Sequence, residues 1–191
     1  MNLPNKLTML RIILIPFFMF FYLADFIPHA KIIATIILIL AETTDFVDGY
    51  IARKYNLVTD FGKLMDPVAD KSFALTALAL IAIDGTIPSP YGVIVIVIFL
   101  VRDFLVTGLR QIAASKNVVI AADKWGKIKA ILLDVCLPMF FFIAYLTSIG
   151  FGVSVFATLL FVVAYTLLAL STVFSVYSGI NYIVKNKQLL K

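Results

Sequence analysis

Apolar residues recur in six runs along this chain, at 7–23, 31–53, 66–83, 91–115, 125–146 and 153–184. Each is close to the roughly 20 residues that a helix needs to cross a bilayer. Turn residues separate them: Pro28 in the first separator, Gly85, Pro88 and Pro90 in the third, Gly150 and Gly152 in the fifth. A water-soluble chain of 191 residues could not bury the 62% of its sequence that is apolar. With 14% charged residues and a mean hydropathy of +1.05, the chain reads as an all-α integral membrane protein, not a soluble domain, a disordered tail or a fibrous repeat. No internal repeat divides it, so 1–191 is read as one six-helix transmembrane domain.

Charge placement sets the expected topology. Counting loops from the N-terminus, Lys6, Arg11, Arg53, Lys54, Lys63, Lys71, Arg110, Lys116, Lys124, Lys127, Lys129, Lys185, Lys187 and Lys191 collect on one side. Only Lys31 falls on the other, and Arg102 lies within the fourth run. Basic residues favour the cytosolic side, so both termini are expected inside. Basic residues flanking apolar spans explain the net charge of +5 without nucleic acid. Arg11 inside the first run, and the poor cleavage site Ala24-Asp25-Phe26, argue for a retained helix, not a signal peptide.

Six of the eleven acidic residues lie between Glu42 and Asp70. Carboxylates at membrane depth cost free energy unless paired or coordinated, which makes them functional candidates. Asp45 and Asp48 are spaced i, i+3, and Asp66 and Asp70 i, i+4, so each pair shares a helix face. A hairpin turning near Leu57 would bring all four to similar depth at the cytosolic end. Clustered anions repel and require positive charge between them. With no His or Cys nearby, carboxylate oxygens suit the hard cations Mg²⁺ or Mn²⁺. Four carboxylates can hold two ions about 3.5–4 Å apart, a spacing used for displacement at phosphorus. Gly49 and Ala52 lie on the same stripe and leave room either for a flat ligand or for close helix packing. Asp66-Pro67 reads as a helix start, with Asp as cap and Pro in the first turn.

The pattern D-x2-D-G-x2-A-R-x8-G-x3-D-x3-D, running from Asp45 to Asp70, resembles the signature of the CDP-alcohol phosphatidyltransferases at every fixed position. Chain size and six-span layout resemble that family too. The resemblance implies that Asp45, Asp48 and Asp66 bind two divalent cations, and that Asp70 is both metal ligand and general base. It implies that Gly49 and Arg53 contact the CDP group, with Thr59 and Gly62 as further candidates for the lipid substrate, CDP-diacylglycerol. It also implies a homodimer among membrane lipids.

The remaining cations bear on the acceptor. Arg102 and Arg110 are spaced i, i+8 on one face of the fourth run, and Lys124, Lys127 and Lys129 follow in the next turn and helix start. Arg suits bidentate phosphate contact, so a basic pocket here would take a phosphorylated alcohol, not serine or choline. The alternatives are contact with anionic headgroups or, for Arg102, neutralisation of Asp103 or Asp134. Stretches at 5–11, 15–18, 61–71, 102–110 and 125–129 resemble the bacterial branch of the family, whose acceptor is sn-glycerol 3-phosphate. An inositol phosphate would need a similar pocket. The expected home is the bacterial cell membrane, with the site facing the cytosol.

Other residues carry less. Asn5 and Thr8 are placed either to reach the nucleotide or to cap the first helix, and Glu42 either tunes the site or bonds a neighbouring helix. Trp125 is read as an interface anchor, Cys136 as packing, and His29 as a loop residue without an evident partner. A cation-coupled transporter would also place carboxylates in a membrane, but such sites tend to the midplane and to repeated halves. A purely structural subunit would not need four carboxylates at this spacing.

Overall fold

A computed structural model of the chain describes residues 2–55, 59–116, 118, 120 and 123–190, apart from the side chains of residues 46, 52, 53, 63, 189 and 190. The expected turn at Leu57 and the side chains of Ala52 and Arg53 lie outside the described residues. Six long helices follow one another: α1 (Leu3–Leu23), α2 (Ala30–Lys54), α3 (Asp60–Ile83), α4 (Tyr91–Ser115), α5 (Lys124–Ser148) and α6 (Val155–Lys185), with a short 3₁₀ turn at Lys187–Leu190. Among the described residues, α1, α4, α5 and α6 are long and apolar enough to cross a membrane. The other two long helices, α2 and α3, carry the acidic pairs and their flanking cations.

Side-chain caps start three of the helices. The Asn2 side chain accepts from the Asn5 amide at 3.3 Å, so neither Asn5 nor Thr8 caps α1. Ser154 caps α6 through the Ala157 amide. The third helix begins six residues earlier than its sequence pattern suggested. Thr59 caps it through the Gly62 amide, which places Asp66 and Pro67 inside the helix. Pro67 lacks an N–H and forfeits one helical hydrogen bond there.

The bundle buries a set of polar side chains within its apolar core and turns large apolar side chains outward. Asn5, Thr8, Arg11, Asp48, Lys129, Ser171, Ser175 and Ser178 are buried, while Phe17 and Phe20 of α1, Ile36 and Leu40 of α2, and Val173 and Ile180 of α6 are exposed. That arrangement suits a lipid surround, where the outward faces need no water. Phe18 at the centre stacks on Phe73 at 5.1 Å and lies 5.0 Å from Phe141, joining α1, α3 and α5. Tyr22 adds a further ring contact to Phe141. At the end away from the acidic pairs, the Tyr22 hydroxyl donates to Asp84 and the Tyr165 hydroxyl to the Thr86 carbonyl, tying α1 and α6 to the α3–α4 loop. His29 does have a partner there, the Tyr145 hydroxyl at 3.2 Å from Nδ1.

Phe18 is fully buried and touches aromatic rings of two other helices. Phe18→Ala is expected to cost about 3–5 kcal/mol, the usual range for emptying a packed Phe site. Thermal unfolding in detergent micelles would read this as a lowered midpoint.

Candidate active site

Asn5, Thr8 and Arg11 repeat at i, i+3 and form a polar stripe on the first half of α1. Each meets a different part of the α2–α3 hairpin. Asn5 Oδ1 accepts from the Thr59 hydroxyl at 2.9 Å. The Thr8 hydroxyl donates to Asp66 Oδ1 at 2.6 Å. Arg11 ion-pairs through Nη1 with Asp45 and donates from Nη2 to Asp48 Oδ2 at 3.3 Å. The planar guanidinium thus spans the i, i+3 carboxylate pair of α2. Gly62 belongs to the same junction, since a Cβ there would lie 3.1 Å from Asn5 Oδ1 and 3.3 Å from Thr59 Oγ1. Thr59 and Gly62 therefore fasten α3 to α1 whatever else they contact.

Asp45 and Asp70 line a small cavity of about 40 Å³ together with Arg11, Glu42 and Asp134. That volume holds one or two waters. Phe73 and Leu38 belong to the same lining, which places the aromatic core beside the carboxylates. Asp70 and Asp134 stay accessible, whereas Asp48 is buried. Glu42 is one helical turn before Asp45, so its proximity follows from spacing. Asp134 stands 64 residues beyond Asp70 in sequence, and its only signal was an acid inside an apolar run.

The donor set fits a hard divalent cation, being four carboxylates with neither imidazole nor thiolate among them. Among the described residues no three such groups converge closely enough to share an ion. Arg11 holds Asp45 and Asp48, Thr8 holds Asp66, and Asp70 faces the cavity. The counter-charge that the clustered acids require is supplied here by a guanidinium.

A second cavity of about 250 Å³ lies at the same end of the bundle, between α3, α4, α5 and α6. Arg102, Arg110, Lys127 and Lys71 line it, together with the carboxylates of Asp103 and Asp123. Arg102 occupies a slot built by three helices. Its Nη1 donates to Asp103 at 3.0 Å and its Nη2 to the Ser178 hydroxyl at 2.7 Å. A Cβ on Gly126 would collide with Arg102 Nη2, and one on Gly179 would sit 3.2 Å from Arg102 Cγ. Arg110 donates from Nε to the buried Tyr182 hydroxyl at 3.1 Å. Lys71 donates to the Thr107 hydroxyl at 2.8 Å. Of the basic residues expected to act together, Lys124 and Lys129 are not in this lining. Lys124 is exposed at the start of α5. Lys129 is buried, 3.2 Å from Asp103 and 4.5 Å above the Phe99 ring.

Trp125 at the α5 start stacks on Phe174 at 5.4 Å and meets Tyr177 edge-on. Gly49 lies in α2 next to Asp48 and is partly buried.

The family model described as CDP-alcohol phosphatidyltransferase matches residues 1–177. A protein of Bacillus subtilis (strain 168) named CDP-diacylglycerol–glycerol-3-phosphate 3-phosphatidyltransferase is 48% identical over 139 residues, covering 67% of this chain and 70% of its own length. Proteins of the same name from Rickettsia bellii (strain RML369-C) and Haemophilus influenzae (strain ATCC 51907 / DSM 11121 / KW20 / Rd) are each 40% identical, over 132 and 136 residues. They cover 69% and 67% of this chain, and 70% and 69% of their own lengths.

The Arg102 slot has a built-in control. Gly126→Ala is expected to cost about 1–3 kcal/mol, as overpacking a filled site does. Gly108→Ala, where a Cβ meets nothing within 4 Å among the described residues, is expected to be neutral or stabilising by up to about 1 kcal/mol through helix propensity. Comparing the two unfolding midpoints checks the slot directly.

Proposed function

The chain belongs to the CDP-alcohol phosphatidyltransferase family, and on that premise we propose that it transfers a phosphatidyl group from CDP-diacylglycerol to sn-glycerol 3-phosphate. The products are phosphatidylglycerophosphate and CMP. Its relatives named for this reaction support the reading. The observation that carries the choice of acceptor is the cavity into which Arg102, Arg110, Lys127 and Lys71 converge. Four cations set against the two carboxylates of Asp103 and Asp123 leave this space net positive, which suits a dianionic phosphate better than an uncharged alcohol.

Asp45, Asp48, Asp66 and Asp70 would hold two divalent cations, Mg²⁺ or Mn²⁺. When bound, these supply charge neutralisation for the pyrophosphate oxygens and the departing CMP. Asp70, accessible on the small cavity, takes the proton from the acceptor hydroxyl. That hydroxyl oxygen forms its bond to the lipid-side phosphorus as the bond to the CMP oxygen breaks. Arg110 and Lys127 hold the acceptor phosphate, with Arg102 fixed in its slot beside them and Lys71 opposite. Lys129 acts through Asp103, which it and Arg102 share. Gly49, Ala52, Arg53, Thr59, Thr8 and Gly62 are assigned to binding of the CDP-lipid. Thr8 and Thr59 also serve that binding by fixing Asp66 and Asn5.

All six long helices span the bilayer in this reading, with both termini and both cavities at the cytosolic face of a bacterial cell membrane. The fourteen-to-one distribution of basic residues supports that orientation. The acids of α2 and α3 then lie at the interface, where a lipid headgroup and a water-soluble acceptor meet. The protein works as a homodimer.

The test is CMP release by purified protein with CDP-diacylglycerol and Mg²⁺, comparing glycerol 3-phosphate, inositol 1-phosphate, serine and no acceptor. Release dependent on glycerol 3-phosphate is expected, and full activity in excess EDTA would sink the metal reading. Asp70→Asn is expected to lower turnover at least about a hundredfold, the low end for loss of a general base, while the unfolding midpoint stays near wild type. Arg110→Ala is expected to raise KM for glycerol 3-phosphate about tenfold, in keeping with a lost charge-assisted hydrogen bond, and to leave KM for the lipid nearly unchanged. Equal effects on both substrates would remove Arg110 from the acceptor cavity.

A further inference from the structure

Arg11 stands out among the buried groups of the acidic end. It is 3% exposed, and its guanidinium touches two of the four signature carboxylates. Its Nε is buried with no hydrogen-bond partner. A guanidinium can donate five hydrogen bonds in a planar fork, so a buried Arg with an idle Nε has donor capacity beyond its two carboxylates. The side chain also lines the small cavity with Glu42, Asp45, Asp70 and Asp134. Four acids around one cation leave local negative charge in excess.

Asp45 and Asp48 cannot give the same oxygens to Arg11 and to a divalent ion at once. A guanidinium is also a repulsive neighbour for an entering cation. Both effects have one sign: occupation of the carboxylates by metal opposes the Arg11 bridge. We propose that Arg11 is an internal counter-cation that holds the acidic pair of α2 together before metal enters, and that metal binding displaces it. The inference rests on the metal-binding reading above.

The arrangement has a consequence for the first helix. Arg11 shares its stripe with Thr8, bonded to Asp66, and with Asn5, bonded to Thr59. Displacement of Arg11 leaves α1 anchored through these two contacts, so the guanidinium moves and the helix stays. Once free, it remains beside the cavity with donors suited to phosphate oxygens. Arg11 is a positioning residue for the carboxylates in the metal-free protein. By linkage, each ligand then lowers the affinity of the carboxylates for the other by the same factor.

The experiment measures Mn²⁺ binding and thermal unfolding on purified full-length protein, without lipid substrate. Room-temperature electron paramagnetic resonance counts free Mn²⁺, and melts are run in EDTA and in saturating Mn²⁺. For Arg11→Gln, Mn²⁺ is expected to bind about tenfold more tightly, the scale of one charged hydrogen-bonding contact. Its melting midpoint is expected below wild type in EDTA, with the gap narrowing in Mn²⁺. Arg11→Lys keeps the charge but not the fork, so its shifts have the same sign and are smaller. It carries the comparison if Arg11→Gln does not fold. Equal or weaker Mn²⁺ binding by the variants overturns the proposal, as does a midpoint gap of the same size with and without Mn²⁺. Absence of Mn²⁺ binding by the wild-type protein would overturn the metal reading and this inference with it.

Discussion

Buried carboxylates in an apolar bundle need positive charge within reach, and the architecture of the acidic end follows from that need. Isolated charges in a medium of low polarity are costly by several kcal/mol each, so they are paired or coordinated. Arg11 answers for Asp45 and Asp48, and it can do so only because α1 packs along both α2 and α3. That packing is fixed elsewhere, by the Phe18, Phe73 and Phe141 rings and by the tyrosine contacts at the far end. The apolar half of the bundle therefore sets the depth at which the polar half meets.

The same logic is repeated in the neighbouring cavity with the signs reversed. Arg102 of α4 and Lys129 of α5 converge on Asp103, which accepts from both. Arg110 and Lys127, which have no carboxylate partner within ion-pair distance among the described residues, face the open volume. Charge that is neutralised inside the protein forms the frame, and charge that is not remains for a ligand. This division explains why Arg102 and Lys129, though basic and nearby, do different work from Arg110.

Much of this was legible in the sequence, for identifiable reasons. The limits of α4 coincide with the run at 91–115 because Pro90 and Lys116 bound an uninterrupted apolar stretch. The i, i+3 and i, i+4 acid pairs were readable because helix periodicity is local. The start of α3 was not, since Asp66-Pro67 imitates a helix start while Thr59 provides the cap that operates. Arg102 announced itself as a cation inside an apolar run. Arg11 carried the same signal, but counting it toward topology concealed its partners on α2. The slot that holds Arg102 was invisible, because Gly126 and the pair Ser178 and Gly179 come from two other helices, at positions distant from Arg102 in sequence, and each looks unremarkable alone.

The two helices that fall short of membrane-spanning apolarity are the two that carry the signature acids, and this is a consequence of the site's placement. A helix that bears two carboxylates on one face and cations at its end cannot also be apolar throughout. It can enter a bilayer only if neighbours cover the polar face. Here Arg11 and Thr8 of α1 hold Asp45, Asp48 and Asp66, and α5 brings Asp134 to the cavity that Asp45 and Asp70 line. The outward faces of α2 and α3 stay apolar, with Ile36, Leu40, Leu64 and Val68 exposed. The polar face is then available from one direction, the end at which both cavities open. A substrate with a lipid tail and a charged head meets the same division of surfaces along its own length. Its tail can stay against the apolar exterior while its head reaches the acids from the end of the bundle.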